Sequence, residues 1–499
     1  MSIRERVIID SSQYFVRMIT ARFFIFFGSM LVARLLGPEH YGFWRALQIV
    51  LIYSFSASWG LVEGLNREIP YFSGKNDLQQ VNRLRNGGLT MVGLNSILLF
   101  AVSAAVVYIV SPGFPKNYVS AMYLVPFVIL FQQIYQYYEI LYRTSSNFTI
   151  LSKMRLWRNI IDIFLAVIFV YYINITGRVF ANLLAFAILI YFVYRKKDFQ
   201  LHYLFDFKQT WEILKVGFPI MLIGFIFTLM TTVDRFMIAK YLGNTELGYF
   251  GIGLMATGFV YLGPLVIHEV LYPRFNERYG ETQDVMALKG MVLEPTIILA
   301  YLFPIMLGSL YLLIPAGVTF VLPAYVPGIL TAQVMVLGII FISLTVSLGN
   351  FLNTIGQQKT NLLLQVFALA VAVVADYSVI KVGWGIVGVA AATGITYLIY
   401  LIILSIFVFV KYFGGWLEHM KFLFQMLFPI AFSVSVLLLL DLIFAGEVAM
   451  SMSYFVNLTA KVILFFAASI MLLYMTNKRS GILANIVQIL KAKIAKKQA

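Results

Sequence analysis

Apolar runs of about 20 residues recur along the whole chain and constrain its fold more than any other feature. As a helix, a run of that length crosses the ~30 Å hydrocarbon layer of a bilayer. Of the 499 residues, 61% are hydrophobic and 12% are charged, about half the charged fraction of ordinary soluble domains. Such continuous runs exclude an outer-membrane barrel, whose strands would be short and alternating. The sequence therefore predicts an all-α polytopic membrane protein.

Glycine, proline and polar breaks divide the apolar runs into fourteen predicted transmembrane helices. The predicted spans are 13–36, 41–62, 87–111, 118–142, 157–175, 177–195, 214–240, 246–272, 290–314, 327–352, 360–381, 385–411, 420–444 and 452–476. Both termini then fall on the same side of the membrane, together with roughly 27 of the 37 lysines and arginines. The positive-inside rule assigns that side to the cytoplasm. The opposite side receives about four cations, one of which is Arg178.

Two similar phrases stand 206 residues apart, "ARLLGPEHYG" at 33–42 and "AKYLGNTELG" at 239–248. Their glycines coincide: Gly37 matches Gly243, and Gly42 matches Gly248. Because six helices separate the phrases, an even number, the repeats are parallel and related by an axis along the membrane normal. The repeat predicts two parallel six-helix lobes, related by a pseudo-twofold axis around a central cavity, plus two C-terminal helices.

The repeat and the connections between helices predict five regions. They are an N-lobe at 1–195, a cytoplasmic linker at 196–213, a C-lobe at 214–411, helices 13 and 14 at 412–476 and a basic tail at 477–499. The tail places isoleucines and leucines at helical spacing beside lysines, which predicts an amphipathic helix on the anionic inner leaflet. A solvated tail is the alternative.

Three arginines lie inside predicted spans, where a charge costs about 2.5–3.5 kcal/mol and usually faces a bundle interior or water. Arg22 is near the middle of the first span, Arg17 is closer to the cytoplasm, and Arg235 is in the outer half of the seventh span. A guanidinium is permanently charged and binds phosphate oxygens through two N–H groups. These three residues are the predicted substrate-binding cations. The alternatives are an interhelical ion pair for Arg22 and a membrane-surface position for Arg17.

Other polar residues in the spans are secondary candidates. Those predicted at a cavity rim or wall are Arg34, Arg45, Gln132, Gln136 and Glu139. The acids Asp234, Asp162 and Asp376 are candidates for ion coupling, although each also fits a satisfied internal polar group. Adjacent helical residues point about 100° apart, so Asp234 is not expected to pair with Arg235.

Several chemistries lack the residues they need. The chain has no cysteine and only four histidines, which show no metal-binding spacing. No phosphate-binding loop of the form G-x-x-x-x-G-K-[ST] is present. The net charge of +15 is concentrated in connections beside the membrane, so nucleic acid is not an expected partner. The sequence predicts no cofactor, no metal and no catalytic activity.

Three segments resemble a known family. They are "FFGSMLVARLLGPEHYGFWRALQIV" with the segment that follows it, "ILKVGFPIMLIGFIFTLMTTVDRFMIAKYLGNTELGYF", and "NTIGQQKTNLLLQVFALAVAVVADYSVIKVGWGIVGVAAATGI". All resemble polysaccharide-type flippases of the multidrug/oligosaccharidyl-lipid/polysaccharide exporter superfamily. The resemblance implies two lobes around a cationic cavity. It also implies movement of a polyprenyl-(pyro)phosphate-linked oligosaccharide from the inner to the outer leaflet, with Arg17, Arg22 and Arg235 as the cavity cations.

One departure bears on the alternatives. Drug-exporting relatives often carry an acid in the first helix, and the span 13–36 has none. A cation-coupled multidrug antiporter is therefore the second hypothesis, and a membrane-embedded glycan polymerase or glycosyltransferase is the third. The expected partners are the lipid-linked substrate, membrane lipids and a coupling ion, H⁺ or Na⁺. The protein is expected to be a monomer in the cytoplasmic membrane.

Overall fold

The computed structural model describes residues 3–145, 147–196, 198–444 and 451–480. Within these ranges, the side chains of residues 3–19, 21–22, 262, 265–270, 273 and 476–480 lie outside the description. The regular structure of the described residues is entirely helical, which confirms the all-α class. The α-helices are α1 (Ile3–Ser56), α2 (Leu61–Gly74), α3 (Leu78–Val110), α4 (Lys116–Thr144), α5 (Phe148–Lys196), α6 (Phe207–Met230), α7 (Val233–Tyr241), α8 (Asn244–Val260), α9 (Leu262–Thr282), α10 (Lys289–Val321), α11 (Ile329–Thr354), α12 (Gln358–Val382), α13 (Gly385–Val408), α14 (Trp416–Ile443) and α15 (Met452–Ser480).

Helix α1 contains two membrane spans. Its 54 residues would extend about 80 Å as a straight helix, more than twice the hydrocarbon thickness. The helix is interrupted at Gly37, whose φ of 72° is readily adopted only by glycine. Pro38 follows, at a position where the fixed φ of proline suits the start of a new helix. The predicted spans 13–36 and 41–62 lie on either side of this break.

Helix α5 also contains two spans. Its 49 residues are interrupted at Ile173 and Asn174, where Asn174 has a φ of 50°. The turn is tight, because a methyl group on Gly177 would lie 2.1 Å from the carbonyl oxygen of Phe169. The predicted spans 157–175 and 177–195 meet at this break.

Each of the fourteen predicted spans lies largely in helical structure. In the described ranges, ten helices are long and apolar enough to cross a membrane, and an eleventh is a pair, Phe23–Ser56 with Leu61–Gly74, bent by 43°. The protein is a multi-pass membrane protein. The prediction of one continuous helix over 214–240 was wrong, because the structure ends α6 at Met230 and begins α7 at Val233. Pro219 lies within α6, and the interruption comes at Thr231 and Thr232.

The chain forms two compact units, unit 1 at 1–251 and unit 2 at 252–499. In unit 1, α1 packs mainly against α5, α4 packs against both α3 and α5, and α2 packs against α6. The boundary between the units falls inside α8. The five regions predicted from the repeat remain a prediction.

The two repeated phrases contact each other within unit 1. A methyl group on Gly42 would lie 1.7 Å from the carbonyl oxygen of Asn244, and one on Gly248 would lie 2.0 Å from that of Pro38. At the offset of 206, Gly248 corresponds to Gly42 and Asn244 corresponds to Pro38. The contact of Gly42 with Asn244 is therefore matched by the equivalent contact of Gly248 with Pro38. Such a reciprocal contact is the signature of a twofold relation. The turn glycines Gly37 and Gly243 also share a positive φ.

Unit 2 includes the two C-terminal helices. Helix α13 packs against α11 and α12, while α10 packs against α11, α14 and α15. Asp441 accepts hydrogen bonds from Lys461 at 2.8 Å and from the Tyr311 hydroxyl at 2.9 Å, which satisfies its charge within the helix bundle. The predicted tail helix at 477–499 lies outside the described residues, apart from the backbone that ends α15.

Candidate functional site

Unit 1 encloses a cavity of about 640 Å³, lined by residues of α1, α4, α5, α6 and α7. This volume suits a small organic ligand rather than a single ion. The charged and amide side chains in its lining are Arg45, Gln48, Gln132, Glu139, Arg155, Arg158, Asn159, Asn182 and Arg235. The aromatic side chains are Trp44, Phe55, Tyr135 and Phe186.

Arg45 reaches the cavity because of the break in α1. Seven residues separate it from Pro38, so it lies about 10 Å along the second part of the helix. Arg45 donates a 2.9 Å hydrogen bond to Gln48 and another to the Tyr41 hydroxyl, and its guanidinium lies 4.8 Å from the centre of the Tyr41 ring. Its Nε is buried and has no hydrogen-bond partner in the described structure. Arg45 was predicted at the rim, and the structure places it in the wall.

One face of α5 supplies two more cations. Arg155, Arg158, Asn159 and Asp162 follow the i, i+3, i+4, i+7 spacing that aligns side chains along a helix. Arg155 Nε donates a 2.7 Å hydrogen bond to Oε1 of Glu139 on α4. Arg158 donates to Asn159 at 2.7 Å, and its guanidinium lies 5.2 Å from the centre of a phenylalanine ring in the lining, Phe186.

Asp162 is bound tightly by neighbouring side chains. The two terminal nitrogens of Arg178 donate to its two oxygens at 2.9 Å each, and Asn182 donates to Oδ1 at 3.0 Å. The Arg178 guanidinium lies over the Trp44 ring at 4.1 Å. Arg178 was counted among the cations on the outer side of the membrane, at the start of the predicted span 177–195, and it is 8% exposed because the tight turn in α5 returns it to the bundle. This pairing accounts for the buried charge of Asp162 without a bound ion.

The break between α6 and α7 explains the buried Asp234 and Arg235. Asp234 lies in the first turn of α7, where its Oδ1 accepts a 2.7 Å hydrogen bond from the Arg235 backbone N–H. A carboxylate is favoured there by the unpaired N–H groups and the helix dipole. Arg235 Nε lies 3.9 Å from the same oxygen, so the expectation that the two side chains do not interact was wrong. Arg235 Nε has no hydrogen-bond partner among the described residues, and its side chain lines the cavity.

The remaining predicted residues divide into four groups. Gln132 lines the cavity and donates to the Leu51 carbonyl at 3.1 Å. Gln136 is buried outside the lining, and Arg34 is exposed. The backbones of Arg17 and Arg22 lie in α1. Their side chains lie outside the description, so their role as substrate-binding cations remains a prediction. Asp376 is buried in α12 of unit 2.

Five charged or amide side chains of the lining were not predicted from the sequence: Gln48, Arg155, Arg158, Asn159 and Asn182. The fifth span was predicted to start at residue 157, where the apolar run begins, whereas α5 starts at Phe148. Arg155 was therefore assigned to a cytoplasmic connection. The signal that would have identified Arg155, Arg158 and Asn159 is the stripe of polar residues from 155 to 162 at helical spacing.

Among the described residues, the lining combines four arginines with one carboxylate, Glu139. Arg45 and Arg235 are close enough to interact electrostatically, and like charges in a low-dielectric wall favour an anionic ligand between them. Amides and aromatic rings beside the arginines can contact sugar hydroxyls and the apolar faces of sugar rings. Across the described part of the chain, no group of three or more histidine, aspartate or glutamate side chains is arranged to hold a metal ion.

Comparison with protein families gives a match over residues 31–322 to a family described as "Polysaccharide biosynthesis protein". This match covers more than half of the chain. The chain belongs to the polysaccharide biosynthesis protein family. No curated protein matches its sequence significantly.

Solved structures share the fold of this polysaccharide biosynthesis protein. The lipid II flippase MurJ, in an inward closed conformation, has a TM-score of 0.72 at 13% identity, covering 93% of this chain and 99% of its own. An inward-facing multidrug resistance MATE family transporter of the MOP superfamily has a TM-score of 0.64 at 14% identity, covering 81% and 95%. A MOP superfamily transporter from Pyrococcus furiosus, described as having a binding pocket of reverse polarity, has a TM-score of 0.56 at 15% identity, covering 82% and 96%. The chain therefore has the MurJ and MATE fold.

Proposed function

We propose that the protein is a flippase for lipid-linked oligosaccharides. It would move a polyprenyl-(pyro)phosphate-linked oligosaccharide from the inner to the outer leaflet of the cytoplasmic membrane, for the synthesis of a cell-surface glycan. The observation that carries this proposal is the arginine-lined cavity inside a membrane-spanning unit. Membership of the polysaccharide biosynthesis family supports the glycan, and the fold shared with a lipid II flippase supports the lipid carrier.

In the proposed mechanism, the arginines bind the phosphate and the neutral polar side chains bind the first sugars. Arg45 and Arg235 have buried Nε atoms without hydrogen-bond partners in the described structure, and phosphate oxygens would supply those partners. Gln48 and Asn159 line the same cavity and can both donate to and accept from sugar hydroxyls. The polyprenyl chain would remain in the lipid. Arg17 and Arg22 are proposed to extend the path of cations towards the cytoplasm.

Translocation would follow alternating access between two lobes related by the repeat. The protein would act as a monomer with both termini in the cytoplasm and would perform no covalent chemistry itself. A coupling ion, H⁺ or Na⁺, would drive the cycle, with Asp234 and Asp376 as its proposed sites. Asp162 is a weaker candidate, because Arg178 already neutralises it.

A cation-coupled multidrug antiporter is the second candidate, favoured by the fold shared with MATE transporters. The cavity lining weakens it, because four arginines repel cationic drugs and the single carboxylate is already bonded to Arg155. A membrane-embedded polymerase or glycosyltransferase would need catalytic acids facing a substrate. Glu139 is the only carboxylate in the described lining of this cavity.

Reconstitution tests the proposal directly. Purified protein in vesicles should transfer a fluorescent polyprenyl-pyrophosphate oligosaccharide to the leaflet that a membrane-impermeant quencher reaches. Arg235→Ala and Arg22→Ala should each abolish transfer while protein levels remain near normal. Lys381→Ala removes an exposed cation from unit 2 and should transfer at the wild-type rate.

Two outcomes would contradict the proposal. One is a wild-type protein that moves no lipid-linked oligosaccharide in vesicles. The other is drug resistance in cells that overexpress the protein, without transfer of lipid-linked oligosaccharide in vesicles, which would favour the antiporter. Wild-type transfer by Arg235→Ala would remove Arg235 from the proposed site.

A further inference from the structure

Glu139 is an anion placed among cations, and its contact with Arg155 is limited. The residue is 7% exposed and lines the cavity. The two side chains share one hydrogen bond, of 2.7 Å, between Oε1 and Nε. The Arg155 side chain is 32% exposed, and it also lines the cavity. A ligand inside the cavity can therefore reach the guanidinium that Glu139 contacts.

A carboxylate and a phosphate present the same kind of acceptor to a guanidinium. The carboxylate is planar and the phosphate is tetrahedral, but both carry anionic oxygens that accept charge-assisted hydrogen bonds. Without a ligand, the four lining arginines repel one another in a low-dielectric wall, and Glu139 offsets part of that charge. When a phosphate-bearing head group enters, it supplies the same interaction and Glu139 is no longer needed.

We propose that Glu139 is a built-in substitute for the substrate phosphate, which occupies Arg155 in the empty cavity and is displaced when substrate binds. This inference rests on the proposed flippase function and adds a residue that sets substrate affinity. Displacement requires a competitor with more charge than one carboxylate. Glu139 thus selects pyrophosphate over monoanions, because a group with two phosphates can bind Arg155 and a second arginine, such as Arg158, at once.

The comparison of two glutamate variants tests the proposal. Full-length protein in nanodiscs is titrated with inorganic pyrophosphate in a calorimeter. Glu139→Gln should bind pyrophosphate about tenfold more tightly than wild type, a coupling of ordinary size, and should discriminate less against acetate. Glu63→Gln removes a part-buried glutamate of the same unit that lies outside the cavity lining, and its affinity should equal that of wild type.

Arg155 provides the second arm of the test. Because the gain depends on that guanidinium, the double variant Glu139→Gln/Arg155→Gln should lose the tenfold gain. An unchanged or weaker affinity in Glu139→Gln, or a gain that survives in the double variant, would overturn the proposal. Those results leave the flippase function intact, which is judged separately by transfer of the lipid-linked oligosaccharide in vesicles.

A measurement on the wild-type protein covers the case in which Glu139→Gln does not fold. Protein labelled with ¹³C-glutamate is compared by infrared difference spectroscopy with and without pyrophosphate. Displacement from Arg155 should shift a glutamate carboxylate band, whereas protein labelled with ¹³C-aspartate should show a smaller change. The absence of any glutamate signal on pyrophosphate binding would also overturn the proposal.

Discussion

Two carboxylate–arginine pairs in unit 1 differ in how firmly they are held. Each joins residues 16 positions apart in the chain. Asp162 receives two hydrogen bonds from Arg178 and a third from Asn182, all of 2.9–3.0 Å. Glu139 receives one hydrogen bond from Arg155. The exposed fraction of the arginine side chain is 9% for Arg178 and 32% for Arg155.

This difference teaches that a buried charge does not by itself mark a functional site. Arg178 has its hydrogen bonds and its aromatic face occupied within the protein, so it holds two parts of α5 together. Arg155 lines the cavity and its side chain is 32% exposed, so a ligand in the cavity can reach it. The two pairs differ in the number of hydrogen bonds between their members and in access to the cavity.

The largest loss of folding stability should come from breaking the Asp162–Arg178 pair. Arg178→Gln leaves Asp162 buried without its counter-charge, which costs about 3–5 kcal/mol of folding stability. Thermal unfolding of purified protein in detergent measures the loss. Asp162→Asn/Arg178→Gln, which removes both charges, should lose less than the single variant. If Arg178→Gln is as stable as wild type, the pair does not hold the fold.

A smaller loss of folding stability is expected at Asn182, which also donates a hydrogen bond to Asp162. Asn182→Ala removes one hydrogen bond to a charged acceptor, which costs about 1.5–3 kcal/mol. The same unfolding assay applies, with Asn174→Ala unsuitable as a control because its φ of 50° is strained for alanine. Asn159→Ala is the better control, because the hydrogen bond of Asn159 is with Arg158 and not with Asp162. A loss at Asn159 equal to that at Asn182 would remove the distinction between the two regions.

The smallest loss of folding stability should come from breaking the Glu139–Arg155 pair. Arg155→Gln should cost less stability than Arg178→Gln, because it removes one hydrogen bond to Glu139 rather than two to Asp162. Transfer of lipid-linked oligosaccharide should nevertheless fall at least about tenfold, the equivalent of one charge-assisted hydrogen bond. Unfolding and transfer are measured on the same preparation. A variant that loses stability but keeps transfer would reverse the roles of the two pairs.

More of the fold than of the cavity lining could be predicted from the sequence. Apolar run length predicted fourteen spans, each of which lies largely in helical structure, and the matched glycines of the two phrases predicted the turns at Gly37 and Gly243. Among the lining residues, Arg45, Arg235, Gln132 and Glu139 were identified as charged or amide groups inside apolar runs. Arg155 was missed because it precedes the predicted span 157–175, and Arg158 was missed because it lies at the start of that span, although both line the cavity.

Pairing between side chains could not be predicted from the sequence. Arg178 was counted with the cations on the outer side of the membrane because it lies at the start of the span 177–195. Its contact with Asp162 depends on how tightly α5 reverses at Asn174, which hydropathy does not report. Asp234 and Arg235 were interpreted as residues inside a continuous helix, and their interaction follows from a helix break that no proline or glycine marks.

The reciprocal contact of Gly42 and Gly248 has a consequence for which substitutions the two phrases can accept. Each glycine lies against main-chain atoms of the opposite phrase, and main-chain atoms cannot be removed by changing a neighbouring side chain. A side chain at either glycine would therefore push the two turns apart, whatever residues surround it. No second substitution nearby is expected to rescue such a change.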